Sequence, residues 1–362
     1  CKVTESFDSL KNGHTYVLNA PLIPTYRSLW NILSMDGAVD KASSIEELKY
    51  EHPYVSFYEL TQGINSRAKD SIIIACGLVA GTGLTTTAKE NQLKKYKIFD
   101  EKATGLDQNV TFFNNYHYTA FIPTNDAVDK VVAEGLPTWE SIQQDYYAHR
   151  KIEKDWEADT LKWDEITPEG DTIWRYVDTL RTKKDEERLQ AKIIYLTNFI
   201  RYHFADNTIF ADHSEISETG AGEMVTSCYD SNSGLFQKLR VRREKTPTES
   251  EPIMTVRWSR NIITPSGSSE TIVGDPIDII TEPYNGKVVK NLFSRDITCK
   301  NYKTSGQDKP IYTNLNGVRM TSASTAVIHL IDGVLMHEEL KPEDWDNPSK
   351  LRSYIKRFAI VN

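Results

Sequence analysis

The sequence lacks any apolar run near the roughly 18 residues that a membrane-spanning helix requires. Its longest, Ile72-Ile73-Ile74-Ala75-Cys76, has the length of a strand. The sequence also lacks an excess of positive charge, with 43 Lys and Arg against 51 Asp and Glu. A formal net charge of -8 over 362 residues argues against a nucleic-acid surface, because phosphate binding needs clustered Lys and Arg. One local basic run, Lys238-Leu239-Arg240-Val241-Arg242-Arg243, alternates with apolar residues and reads as one face of an exposed strand. With 4 cysteines and no CxxC, a zinc site finds no support. HExxH, the alternating acidic calcium loop, the GxSxG turn and the phosphate-binding loop with its lysine are all missing. No metal and no cofactor is expected. What the chain does have is 39% hydrophobic and 26% charged residues, the profile of a globular protein with a core for one large domain or two ordinary ones.

The first residue, Cys1, leads into the polar stretch Lys2-Val3-Thr4-Glu5-Ser6. This looks like a mature bacterial lipoprotein, in which such a cysteine carries acyl chains that anchor a soluble domain to a membrane. Acylated Cys1 would leave Cys76, Cys228 and Cys299, enough for one disulfide at most, with buried thiols the simplest expectation for the remainder.

Residues 1–25 read as a lipid tether leading into a first strand, Thr15-Tyr16-Val17-Leu18, closed by Pro21 and Pro24. Ser28 to Leu33 reads as a helix with Leu29, Ile32 and Leu33 on one stripe. At 118–134 a strand passes through Pro123-Thr124-Asn125-Asp126 into a helix with Ala127, Val128, Val131 and Val132 facing inward, stopped by Gly135 and Pro137. Residues 139–190 carry Trp139, Trp156, Trp163 and Trp174 among many charges and read as a mainly helical surface insertion. A further helix is expected from about Glu187 to His203, with Leu189, Ile193, Leu196 and Ile200 along one stripe. Short strands follow at 235–241, 253–258, 269–273, 287–292 and 326–330, and a last helix after Asn347-Pro348-Ser349 buries Leu351, Tyr354, Ile355 and Phe358. Helices gather in the first half and strands in the second, so the fold class is α+β.

Three segments together resemble the fasciclin domain. Tyr118 to Ala127 is similar to its first signature, a strand running into a proline-threonine-asparagine cap. Phe199-Ile200-Arg201-Tyr202-His203-Phe204 is similar to its central tyrosine-histidine motif, and Ala326 to Leu335 to its second signature. The resemblance implies a fasciclin-like β-sheet core with a helical layer over residues 118–336, lengthened by the helical, Trp-rich segment 139–190 and by insertions within 228–320. Thr325 departs from the asparagine-glycine usual before the second signature. Residues 26–117 are then an N-terminal extension or a degenerate first copy, and 337–362 a C-terminal helix and tail. Pro123, Thr124, Asn125, Tyr202, His203, His329 and Asp332 are its structural residues, with His329 and Asp332 expected in hydrogen bonds rather than chemistry. Tyr202-His203 also matches the pair implicated in receptor contact in animal fasciclin proteins.

Other chemistries fare less well. Gly77, Gly81 and Gly83 after an apolar run resemble the glycine turn of short-chain dehydrogenases, and Tyr147 and Lys151 have that family's spacing, but the distances and the intervening segment do not fit. His203, Asp206, Asp212 and His213 form a local cluster without a metal-binding spacing. The expectation is therefore a non-catalytic, surface-exposed outer-membrane lipoprotein that works in binding or scaffolding. Lipoproteins of this style look like accessory subunits of importers that pair a TonB-dependent barrel with a lid lipoprotein. Direct glycan binding or adhesion is the alternative, and a hydrolase is less favoured. Trp156, Trp163 and Trp174 are the candidate contacts for a partner, glycan or peptide.

Overall fold

A computed structural model describes residues 3–10, 13–19, 29–35, 37–65, 68–79, 83–99, 110, 117–148, 150–155, 173–178, 182–211, 222–244, 253–264, 266–280, 283–284, 287–288, 292–295, 301–304, 307–310 and 325–360. The first described element is a hairpin, β1 (Val3–Leu10) against β2 (Gly13–Leu18), so most of the stretch read as a tether is itself paired strand. Helices α1 (Leu29–Leu33), α2 (Glu46–Glu51), α3 (Val55–Asn65), α4 (Ala68–Ala75) and α5 (Thr86–Lys94) follow. The apolar run at 72–76, expected as a strand, lies in α4 and the turn that ends it. Ile72, Ile73 and Cys76 are buried while Ala75 is exposed, a helical spacing that a five-residue run is too short to distinguish from a strand by apolarity alone.

Next come β3 (His117–Pro123), α6 (Asn125–Ala133), α7 (Trp139–Tyr147), β4 (Arg150–Asp155), β5 (Ile173–Asp178) and α8 (Lys183–Tyr202). Among the described residues of 139–190, helix is joined by strand. α7 and the start of α8 flank an antiparallel hairpin of β4 and β5, in which Lys154 stands opposite Trp174. Ile173-Trp174-Arg175-Tyr176-Val177 is rich in the β-branched and aromatic residues that favour a pleated surface, a preference masked in the sequence by the charges around it.

The strands β6 (Phe204–Asp206), β7 (Glu223–Asp230), β8 (Leu235–Glu244), β9 (Ile253–Ile263), β10 (Ser269–Val273) and β11 (Ile277–Asp278) complete most of the sheet. Two small pairs, β12 (Pro283–Tyr284) with β13 (Lys287–Val288) and β15 (Asn301–Thr304) with β16 (Gln307–Pro310), lie to either side in sequence of β14 (Leu292–Arg295). Of the strand expected over 287–292, the described residues Lys287 and Val288 lie in β13 and Leu292 begins β14. β17 (Thr325–Ile331) and the helix α9 (Pro348–Arg357) end the described elements, confirming an α+β chain.

Among the described residues the main sheet has nine strands in the order β10-β9-β8-β7-β6-β3-β17-β14, with β11 joined to β9. Its pairings are antiparallel except between β3 and β17, one strand in from the β14 edge, which run parallel with Tyr118 beside Ala326 through Pro123 beside Ile331. Residues 118–123 and 326–331 are buried without alternation, as expected for a parallel pair covered on both faces.

α8 begins with a capping box, Thr182 and Asp185 each bonding the other's backbone N–H. From Ala191 to Tyr202 nearly every side chain is buried, so the apolar stripe read from the sequence widens into a helix enclosed on all sides. α9 starts where Asn347 Oδ1 accepts the Lys350 N–H, and it lays Leu351, Tyr354 and Phe358 against α8.

α9 is also held by charge. Arg357 grips both carboxylate oxygens of Asp230 (2.8–3.1 Å) and reaches Glu338 at 2.8 Å, and Asp230 is only 2% exposed. Arg357→Ala leaves that carboxylate buried without its cation, and should lower the unfolding free energy by about 3 kcal/mol, measured by urea denaturation.

Candidate functional site

The segments singled out by their motifs converge on one junction around the parallel pair β3 and β17. Pro123 ends β3, where its missing N–H costs no ladder bond, and Thr124 then caps α6 by accepting the Ala127 N–H at 3.3 Å. The Thr124 N–H itself donates to Ile331 O at the end of β17. Asn125 faces the other way. Its Oδ1 accepts the Ser56 N–H (2.9 Å), and its Nδ2 donates to Lys49 O (2.9 Å) and His52 O (2.8 Å), which secures the link between α2 and α3.

At the end of α8, Tyr202 is fully buried and joins two strands: its hydroxyl donates to Lys238 O (2.9 Å) and accepts the Ser259 N–H (3.0 Å). Burial pushes its pKa well above the usual phenol value, so it stays neutral. His203 ties all three motif segments together. Its Nε2 accepts the Leu335 N–H at 3.0 Å, which assigns the proton to Nδ1, and Nδ1 donates to Phe199 O at 2.8 Å. Its carbonyl accepts the Phe121 N–H from β3 at 2.9 Å. The ring packs against Phe57 and Phe199. Burial lowers the His203 pKa to about 4, only partly offset by the bond to Phe199, so the ring is neutral.

His329 follows its expectation: it is buried, donates from Nε2 to Ile209 O at 2.6 Å and stacks on Phe121. Asp332 departs from it. Its backbone N–H donates to Asp278 O, but its side chain is exposed at the rim of a shallow cleft of about 340 Å³ with Asp126, Lys130, Glu134 and Val334. One residue past the end of β17 the chain turns outward, which carries the carboxylate into solvent. The described lining of the cleft contains carboxylates and one lysine but no histidine, thiol or hydroxyl.

In the sequence cluster His203, Asp206, Asp212 and His213, both nitrogens of His203 are committed, and Asp206 Oδ1 accepts the Asn207 N–H. Asp212 and His213 lie outside the described residues, as do Cys1, Cys299, Trp156 and Trp163. Among the described residues no three His, Cys, Asp or Glu side chains are grouped to hold a metal. Trp174 sits in β5, which pairs with β4 in a two-stranded sheet separate from the main one. Cys76 and Cys228 are buried, and burial pushes the Cys228 thiol far above its usual pKa.

A second buried polar group escaped sequence reading. His337 Nε2 bonds the Tyr354 hydroxyl at 2.7 Å, Tyr195 donates to Glu338 O at 2.7 Å, and the three rings lie within 6.0 Å of one another. Burial, with Arg260 and Arg357 nearby, holds His337 well below its ordinary pKa. Positions 195, 337 and 354 share no local pattern, so only the packing of α9 on α8 brings them together.

A histidine titrates near 6.5 in the unfolded chain and near 4 at position 203 in the fold. As pH falls through that window the unfolded chain takes up the proton first, so stability is lost, by up to about 3 kcal/mol from this residue. His203→Gln should flatten the profile of urea midpoint against pH between 6.5 and 4, leaving the slope that His337 contributes. Asn125→Ala removes three bonds at once and should cost about 2–3 kcal/mol in the same assay.

Comparison of the chain with protein-family models, curated proteins and solved structures gave no match, so what the junction does has to be read from its own residues.

Proposed function

We propose that this chain is a non-catalytic binding scaffold of fasciclin type, carried at a bacterial outer membrane by a lipid on Cys1. One observation supports it above others. Five polar residues of the motif segments, Thr124, Asn125, Tyr202, His203 and His329, are buried and direct hydrogen bonds to backbone groups. Side chains so committed hold segments distant in sequence in register, and reaching a substrate would require breaking the junction. By the same argument Tyr202 and His203, each fully buried, support the sheet and do not form a receptor-facing surface.

In this reading the work is done by additions to the core. The assembly it fits is an importer of glycans or peptides, with a TonB-dependent barrel and a lid lipoprotein as partners. Trp156, Trp163 and Trp174 would serve as docking side chains, because rigid aromatic rings concentrate binding energy at interfaces.

Purification of the intact protein from detergent-solubilised membranes, followed by mass spectrometry, tests this. A barrel and a second lipoprotein should co-purify, and Cys1→Ser should shift the protein to the soluble fraction. Isolation of the protein alone, with wild type and Cys1→Ser fractionating alike, would sink the reading.

A further inference from the structure

β8 presents an alternating pattern that the junction does not use. Gln237, Leu239 and Val241 are buried on the side of the sheet facing the core. Phe236, Lys238, Arg240, Arg242 and Glu244 occupy the opposite side, where Phe236 is 39% exposed and the Lys238 side chain 46%. Arg257 of β9 stands directly across from Arg240 on the same side. Two arginines facing each other across neighbouring strands repel, so their placement costs stability unless negative charge compensates it.

Among the described residues the compensation is incomplete. Glu223 lies 2.6 Å from Lys238 and 3.9 Å from Arg240, and Glu244 pairs with Arg257 and lies 4.0 Å from Arg242. Two carboxylates thus serve four cations, and Arg240 and Arg242 hold only the longer contact in each case. Asp278, on β11 at the edge, shares this face beyond Thr255. At the other end of the row the exposed Phe236 ring meets Tyr229 edge-on, with centroids 5.4 Å apart. The strip from Phe236 to Arg242 runs about 20 Å along one strand.

We infer that this outer face of β7, β8 and β9 binds an acidic polysaccharide, its carboxylates paired with Arg240 and Arg242 and a sugar ring resting on Phe236. Guanidinium groups form planar, paired hydrogen bonds to carboxylates, which suits a uronic acid chain laid along the strand. A protein interface would put apolar residues at its centre and charges at its rim, the reverse of this order. Single-stranded nucleic acid stacks successive bases on a series of rings, whereas this strip offers one aromatic pair.

This surface is separate from the buried junction, so its failure would leave the scaffold reading standing. The test is binding of the purified full chain to polygalacturonate, with neutral dextran and oligodeoxythymidine as comparisons. Wild type should bind polygalacturonate and not dextran, and the affinity should fall as salt rises. Arg240→Gln with Arg242→Gln should weaken binding about tenfold or more, the loss expected when charged hydrogen-bond donors are removed. The urea midpoint should be held or raised, since the clash with Arg257 is relieved. Phe236→Ala, which leaves every cation in place, should weaken binding by a smaller factor. The inference is overturned if wild type ignores polygalacturonate, if the arginine variants bind as well as wild type, or if oligodeoxythymidine displaces the glycan.

Discussion

The parallel contact between β3 and β17 is the constraint on which the rest of the main sheet depends. Two strands some 200 residues apart in sequence lie side by side over their full length, while nearly every other pairing in the sheet joins strands much closer in the chain. A parallel pair has no turn to set its register, so the register must come from side chains and from bonds at the strand ends. Thr124 supplies one such bond to Ile331, and His203 supplies another to Leu335 while its carbonyl takes the Phe121 N–H. A neutral imidazole that donates from one nitrogen and accepts at the other is well suited to this place: no water is needed to satisfy it, and burial keeps it neutral.

α8 turns this junction into a fold. Its buried length delivers Tyr202 and His203 to the sheet at one end. Along its side it receives α9, whose Tyr354 and Phe358 close over His337. Arg357 then fastens α9 to Asp230 and Glu338, so the last described helix is bound both to β7 and to the segment after β17. Buried polar groups of this kind cost stability when any one partner is lost, and they exclude alternative packings of the same apolar surfaces.

Function follows from where the polar groups are not committed. Inside the junction, the hydroxyl, amide and imidazole groups of the motif residues are directed to backbone groups. On the outer face of β8, positively charged side chains outnumber the carboxylates near them among the described residues. The chain carries a net charge of -8, so a cationic strip of this sort is a local departure from its overall electrostatics, maintained despite the repulsion between Arg240 and Arg257.

The sequence by itself determined the local elements whose signals are short-range. A cap at Thr124 or Asn125, the Asn347 cap, the stripe of α8, the alternation of β8 and the α+β order are all readable from neighbours three or four positions apart or fewer, and the structure settles the first on Thr124. Elements whose periodicity is brief or obscured were not legible: Ile72 to Cys76, which lies in α4 and the turn after it, and the β4–β5 hairpin, whose two strands are far apart in a charged segment. The tertiary structure alone decided that His203 bonds Leu335, that Asp332 turns out to solvent while His329 stays in, and that Tyr195, His337 and Tyr354 share one pocket. The physical reason is that a hydrogen bond or a ring contact is set by distance in space, and residues 132, 142 or 159 positions apart leave no trace of their proximity in a single chain.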